Sequence, residues 1–401
     1  MAKSLSSWTF KELHPDLVRG LQSLSISAPN SIQAKAIPLG LSGRDVLVCA
    51  QTGSGKTLTF LLPILQRLLT TESTAVIVAP TDQLAHQVAA VAQHLVSSCQ
   101  KYKKNGRPIA LYSKDFEGPV DASGGRHLFV GTPTFVSKHM PSKIHILAID
   151  EADLLLCESQ VHESYLDLAN QKRAAEELLG ARARSDLQLF LAMAHLTDQR
   201  EEELLARFPS MQQVGHTGVL VPTLRQCFHY FKGDEDAKKA KLLWILAEAE
   251  KEELECVNGA TLIFAASPAK VEHLQVLLAS EKPGYKNLSL QEKSESVQEV
   301  AECFRSGTAQ VLVATDMSVR GLDFPLVRHV ILYDLPVEAT AFVHCAGRTA
   351  RSGNTGLVTC IVEAGDARQG HFDGKAIHSL TDGPQLSFGY KISTSKINYF
   401  T

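Results

Sequence analysis

With 401 residues, 44% of them hydrophobic and 21% charged, the chain has the composition of a water-soluble globular protein and length enough for two cores of ordinary size. A formal net charge of −3 excludes a protein that holds nucleic acid mainly by bulk positive charge. No apolar run is long enough to span a bilayer, and the eight cysteines stand singly with no CxxC pair, which speaks against zinc and against a disulfide framework.

Short β-branched runs alternate with helical stretches, the pattern of a parallel sheet covered on both faces. In the first half, strands are expected at 46–50, 75–79, 128–131, 146–150 and 188–192, with helices at 81–97 and 171–183. In the second half, strands are expected at 227–231, 261–265, 310–314, 329–333 and 357–362. The stretch 214–222 holds two glycines and a proline and reads as a linker. The fold class is therefore α/β, with two doubly wound parallel-sheet domains in tandem, at 1–213 and 223–364. Residues 365–401, rich in Gly, Ser and Thr, read as a loosely structured or partner-bound tail. The N-terminus has neither the apolar core of a secretory signal nor Arg-rich character, and the cysteine usage fits a reducing intracellular compartment.

The first predicted strand runs into Ala50-Gln51-Thr52-Gly53-Ser54-Gly55-Lys56-Thr57. Glycines at these positions let the backbone curl so that successive N–H groups point at phosphate oxygens. Lys56 reaches the β- and γ-phosphates, and the Thr57 hydroxyl takes a magnesium position. A strand–loop–helix context with every position filled predicts binding of a nucleoside triphosphate. Further on, Ile146-Leu147-Ala148-Ile149 ends in Asp150-Glu151-Ala152-Asp153. Asp150 is placed to hold magnesium through water, and Glu151 to orient or deprotonate the attacking water.

The loop and the run Asp150-Glu151-Ala152-Asp153 resemble those of the DEAD-box RNA helicases, and the resemblance extends over both halves. It implies two RecA-like domains, ATP and Mg2+ as ligands, and RNA held by its backbone without base readout. Pro29-Asn30-Ser31-Ile32-Gln33 resembles the family's adenine-reading motif, with Gln33 on the adenine edge and Phe10 as the stacking aromatic. Ala314-Thr315-Asp316 and Arg320-Gly321-Leu322-Asp323 resemble the fifth motif, which implies Asp323 on the ribose and Thr315 on an RNA phosphate. Gly347-Arg348-Thr349-Ala350-Arg351 resembles the sixth, which implies Arg348 and Arg351 on the γ-phosphate. Pro80, Thr81, Thr132 and Pro133 fall on RNA-contacting positions of the same resemblance.

The departures are grouped. Asp82 and Phe135 stand where the family carries arginines, and Tyr112-Ser113 lies near the place of an expected double glycine. Gly124-Gly125 sits too close to the next strand to replace it, and the Gln-x-x-Arg motif falls near Ser294 and Val297. All of these belong to the RNA-gripping side. Met193-Ala194-His195 replaces the Ser-Ala-Thr that couples hydrolysis to strand separation, and Cys345 replaces a further arginine. Each lost phosphate contact lowers affinity and flattens its salt dependence. The expected function is an ATP hydrolase that clamps or remodels RNA inside a ribonucleoprotein, in ribosome or ribonucleoprotein assembly, as a monomeric chain with protein partners and weak unwinding. Two alternatives stand beside it: a nucleotide-binding structural subunit that does not turn over, and a DNA-directed motor of the same superfamily.

Overall fold

The computed structural model describes residues 13–50, 53–99, 109–114, 125–139, 143–156, 166–180, 187–194, 198–215, 223–251, 259–282, 287–290, 297–320, 322, 324–336, 339–351 and 354–363. The chain divides into two compact units, Met1–Thr217 and Gly218–Thr401. Among the described residues no helix is long and apolar enough to cross a membrane.

The first unit opens with α1 (Pro15–Ser23) and α2 (Ser31–Leu41), then β1 (Val46–Cys49), α3 (Lys56–Thr70), β2 (Thr74–Val78) and α4 (Asp82–Cys99). It continues through β3 (Ile109–Tyr112), β4 (Arg126–Gly131), α5 (Pro133–His139), β5 (Ile146–Ile149), α6 (Ala152–Leu156) and α7 (Leu166–Gly180). β6 (Gln188–Met193), α8 (Asp198–Arg207) and β7 (Gln212–Gly215) complete it. The strands form one parallel sheet in the order β3-β4-β2-β5-β6-β1-β7. The inner strands β1, β2, β5 and β6 are buried at every position, as continuous Val/Ile/Leu runs require when helices cover both faces. On one face, Val46, Val48, Ile77, Leu128 and Val130 pack with Leu17, Leu61, Leu65, Ala92 and Leu95 from α1, α3 and α4.

The second unit holds β8 (Leu224–Phe231), α9 (Glu235–Lys251), β9 (Ala260–Phe264), α10 (Pro268–Glu281), β10 (Asn287–Leu290) and α11 (Val297–Arg305). β11 (Val311–Ala314), a 3-10 turn at Met317–Val319, β12 (Val327–Leu332), α12 (Ala339–Ala346) and β13 (Gly356–Glu363) follow. Its six parallel strands run β10-β11-β9-β12-β13-β8. Alternate residues of one strand serve two cores. Leu262 and Phe264 pack with Phe304 and Phe342 on one face, while Ile263 packs with Leu242, Leu274 and Leu278 on the other. The sheet is therefore doubly wound, as the sequence predicts.

All ten expected strands form, and three more do: β3, β7 and β10, each at a sheet edge. The linker expected at 214–222 begins too early, because Val214 and Gly215 belong to β7 and pair with Val48 and Cys49. Gly215 reads as a flexible position but serves a close approach. Its φ is +88°, and a Cβ there would collide with the Cys49 carbonyl oxygen. Gly215→Ala should therefore destabilise the protein by about 2 kcal/mol or more, from left-handed strain and the clash together. Denaturant unfolding checks this; an unchanged midpoint contradicts the close approach. The helix expected at 171–183 starts earlier, at Leu166, and the end at 183 lies outside the described residues.

Candidate nucleotide and RNA site

Parallel α/β sheets place ligands at the carboxyl ends of their strands. In the first unit these ends carry nearly every residue singled out in the sequence, sorted by strand. β1 leads to the glycine loop, β5 to Asp150 and Glu151, and β6 to Met193 and Ala194; these three strands are neighbours. β2 leads to Pro80 and Thr81, β4 to Thr132 and Pro133, and β3 to Ser113 and Lys114, on the other side of β5.

The loop curls as its glycines allow. Gly53 and Gly55 have φ of +77° and +76°, left-handed values that L side chains rarely adopt, and Gly55 caps α3 without a side chain. A Cβ on Gly55 would meet the Gln33 amide nitrogen at 2.5 Å. That contact belongs to a clip. Asn30 and Gln33 form a capping box at the start of α2, the Asn30 side chain accepting from Gln33 N–H and the Gln33 oxygen accepting from Asn30 N–H. Their amide nitrogens then donate to the loop carbonyls, Asn30 Nδ2 to Ser54 at 2.7 Å and Gln33 Nε2 to Gly55 at 3.0 Å. Gln33 is thus anchored on the loop, and a primary amide keeps a second N–H and a second lone pair. Gln51 and Thr52 lie outside the described residues, as does Phe10.

Lys56 is buried, and its Nζ donates to the Ala50 carbonyl at 2.5 Å. Burial lowers its pKa, opposed by the nearby charges of Asp150, Asp153 and Glu151. Thr57 Oγ1 approaches Asp150 Oδ2 at 3.4 Å. Burial, and then the neighbouring Glu151, push the Asp150 carboxyl up to about 6. An acidic group confined without enough positive charge suits a divalent cation. Among the described residues no group of three or more His, Cys, Asp and Glu forms a metal cage. A hard cation that keeps most of its waters and takes phosphate oxygens, as Mg2+ does, fits a hydroxyl and one carboxylate. Glu151 is held at φ +46°, an uncommon conformation for a non-glycine residue, and its N–H donates to Asp150 Oδ1 at 3.0 Å. The turn after β5 thus presents two carboxylates in sequence at one strand end.

Asp153 makes a tie at the site that sequence reasoning left without a role. It is buried, and its Oδ2 accepts the Ala194 N–H at 3.1 Å. The acidic run therefore stays tied to the end of β6 through a main-chain donor, although the hydroxyls of the usual coupling motif are missing. A backbone N–H leaves no trace in the sequence. His195 lies outside the described residues.

On the β2–β4–β3 side, Thr81 caps α4 by accepting from Leu84 N–H, and Thr132 is buried ahead of Pro133 at the start of α5. Gln171 of α7 fixes this corner by accepting from the Thr134 N–H and hydroxyl. Phe135 stacks on His139, ring centroids 4.4 Å apart, so the position expected to cost a cation carries an aromatic pair instead. Asp82 is paired with Lys114 at 2.7 Å.

In the second unit, Thr315 is buried, and its hydroxyl accepts from Ser318 N–H while Ser318 Oγ accepts from Thr315 N–H. Arg320, also buried, pairs with Asp316 at 2.9 Å. Arg348 is buried, its Nη1 donating to the Leu322 carbonyl at 2.7 Å, and Arg351 Nε donates to the Gly347 carbonyl at 2.9 Å. Asp323, Gly321 and Ser294 lie outside the described residues, and Val297 is the first residue of α11. Cys345, expected as a lost charge, sits in the core with Phe342 and Val343, and burial raises its thiol pKa far above the ordinary range. It serves packing.

A phosphate loop, a strand-end carboxylate pair and a second doubly wound sheet carrying two buried arginines define two RecA-like units, the first with a candidate nucleotide site. Comparison with known proteins carries this further. Residues 30–192 match the DEAD/DEAH box helicase family model, and residues 240–353 match the helicase conserved C-terminal domain. The chain is 30% identical over 378 residues to the probable ATP-dependent RNA helicase ddx27 of Dictyostelium discoideum, across 90% of this chain and 46% of that protein. It is 28% identical over 386 residues to the ATP-dependent rRNA helicase RRP3 of Saccharomyces cerevisiae, across 91% of this chain and 70% of that one. In fold it resembles S. cerevisiae Dbp5 bound to RNA and ADP BeF3, with a TM-score of 0.69 at 24% identity, covering 92% of this chain and 91% of that chain. The chain belongs to the DEAD-box helicase family. It spans just under half the length of the ddx27 relative.

Proposed function

We propose that the chain is an ATP hydrolase that uses nucleotide to hold RNA by its backbone within a ribonucleoprotein, with little unwinding of its own. The observation that carries this reading is the sorting along the first sheet. Lys56, Thr57, Asp150 and Glu151 converge at the β1–β5 end, while Asp82 and Phe135 stand at the β2–β4 end. Relatives named as rRNA helicases support a place in ribosome assembly. The proposed domains are 1–213, extended through β7 to 215, and 223–364, with the join within 216–222 and a tail at 365–401.

In this reading Gln33 reads adenine, Phe10 and Asp323 complete the nucleoside contacts, and Gln51 to Thr57 wrap the phosphates. Thr57 and Asp150 hold Mg2+, which supplies charge neutralisation on the phosphates. Glu151 takes the proton of the attacking water. Arg348 and Arg351 offset charge developing on the γ-phosphate. Pro80, Thr81, Thr132, Pro133 and Thr315 contact RNA phosphates or the chain beside them. Phosphate release measured with and without RNA tests the reading: RNA-stimulated release supports it, and no release under either condition assigns a non-hydrolysing role. Stimulation by DNA in place of RNA overturns the RNA assignment.

Gln33→Ala should weaken ATP binding and remove preference for ATP over GTP. It also deletes the two bonds of the Gln33 side chain, to Asn30 N–H and to the Gly55 carbonyl, costing about 1 kcal/mol of stability as helix caps do, while Asn30 stays on Ser54. Gln33→Glu retains the acceptor for Asn30 N–H and loses the donor, so selectivity should still fall with the cap intact. Equal affinity of the unaltered protein for ATP and GTP contradicts the adenine role.

A further inference from the structure

At the edge of the first sheet, β3 ends in Ser113 and Lys114 beside the start of α4. Lys114 Nζ lies 2.7 Å from Asp82 Oδ2, with the two side chains 67% and 57% exposed. Ser113 is 3% exposed, and its hydroxyl meets no hydrogen-bond partner among the described residues. Strand alternation turns Ser113 to the same face as Leu111, which packs with Val88, Ala92 and Leu95 of α4. The side-chain nitrogen of Gln83, in the first turn of α4, is likewise buried without a partner among the described residues. An ammonium and the N-terminal end of an 18-residue helix thus stand at one carboxylate. Donors of this kind suit an oxyanion, and Asp82 supplies one from within the chain.

We propose that Lys114 grips an RNA backbone phosphate and that Asp82 is its internal competitor, whose carboxylate a phosphate displaces. The inference rests on the RNA-holding reading above and adds the residue that replaces the missing arginine. RNA is the occupant because the spot lies at the same strand ends as Thr81 and Thr132. The physical signature is specific. A lysine that surrenders a tethered carboxylate releases no bulk counterion, so its phosphate contact adds little salt dependence. An exposed ion pair is also weak enough for a phosphate to break.

The test is the affinity of a labelled single-stranded oligouridylate across a chloride series, with Mg2+ and a non-hydrolysable ATP analogue. Asp82→Asn should tighten binding about two- to fivefold at low salt, the range exposed pairs support. It should also steepen the log–log salt slope by about 0.7, the value for one phosphate on a single strand. Lys114→Ala alone should weaken binding, and in the Asp82→Asn background it should abolish both gains. Both side chains are surface-exposed, so folding is not at stake. Unchanged affinity and slope in Asp82→Asn, with RNA still bound, overturn the inference; so does tightening that survives Lys114→Ala. Absence of RNA binding by every variant at low salt overturns the RNA-holding reading itself, and the inference with it.

Discussion

Glu151→Gln should leave ATP binding intact and cut turnover by about a hundredfold or more, the usual contribution of a positioned general base. The amide matches the carboxylate in size, so the left-handed backbone at φ +46° and the bond from Glu151 N–H to Asp150 are retained. The proton acceptor alone is lost. Nucleotide affinity read by equilibrium titration should match the unaltered protein, while steady-state phosphate release falls. Turnover at the original rate would move the water-orienting role to another residue.

Lys56→Ala should act earlier, on binding. The ammonium is the buried positive charge facing Asp150, Glu151 and Asp153, and it stands at the first position of α3, where the loop presents its N–H groups. Its loss removes a charge-assisted contact to the phosphates and leaves three carboxylates without that compensation. Hydrogen bonds to charged groups contribute about 1.5–3 kcal/mol each, so ATP affinity should fall by on the order of a hundredfold. Stability should also fall, because truncating the cation leaves buried acidic charge uncompensated. Lys56→Arg distinguishes the two effects: it restores charge and stability but places a planar fork where a compact ammonium fits, so affinity stays low. Tight ATP binding by Lys56→Ala contradicts the placement of the phosphates.

What the sequence made legible follows from where each residue sits in the sheets. Buried inner strands need a run of apolar residues, and β1, β2, β5, β6, β9 and β12 are each legible from such a run at close to their true bounds, although β12 also holds Arg328 and His329. Edge strands are covered less and need no such run. Gln212-Gln213-Val214-Gly215 is largely polar and Asn287-Leu288-Ser289-Leu290 alternates, so β7 and β10 read as loop. β3 is four residues long like β1 and β5, but no motif follows it to mark its end. Gly215 misled for a related reason: a glycine needed for close packing carries the same letter as one needed for flexibility.

The site divides in the same way. Contacts made by side chains of fixed type, such as Lys56, Thr57 and Asp150, were legible because their chemistry demands those residues. The clip of Asn30 on Ser54 was half visible as a capping box, since Asn-x-x-Gln ahead of an apolar run signals a helix start but not what the amides touch beyond it. The tie from Asp153 to Ala194 ends on a main-chain N–H, and the pairing of Asp82 with Lys114 joins residues far apart in the chain. Neither could be read without the sheet order that brings the strand ends together.

The tie through Asp153 holds the acidic run on β6 but does not replace the hydroxyls missing from Met193-Ala194-His195, and the RNA side lacks the expected arginines at Asp82 and Phe135. Grip, more than hydrolysis, should limit the isolated protein. The most direct measurement is strand displacement from a short RNA duplex by the isolated protein at saturating Mg2+ and ATP, with phosphate release followed in the same reaction. The account predicts phosphate release with little displacement, and gain of displacement when Asp82→Arg and Phe135→Arg are combined with Met193→Ser and His195→Thr. Efficient displacement by the unaltered, isolated protein would contradict it.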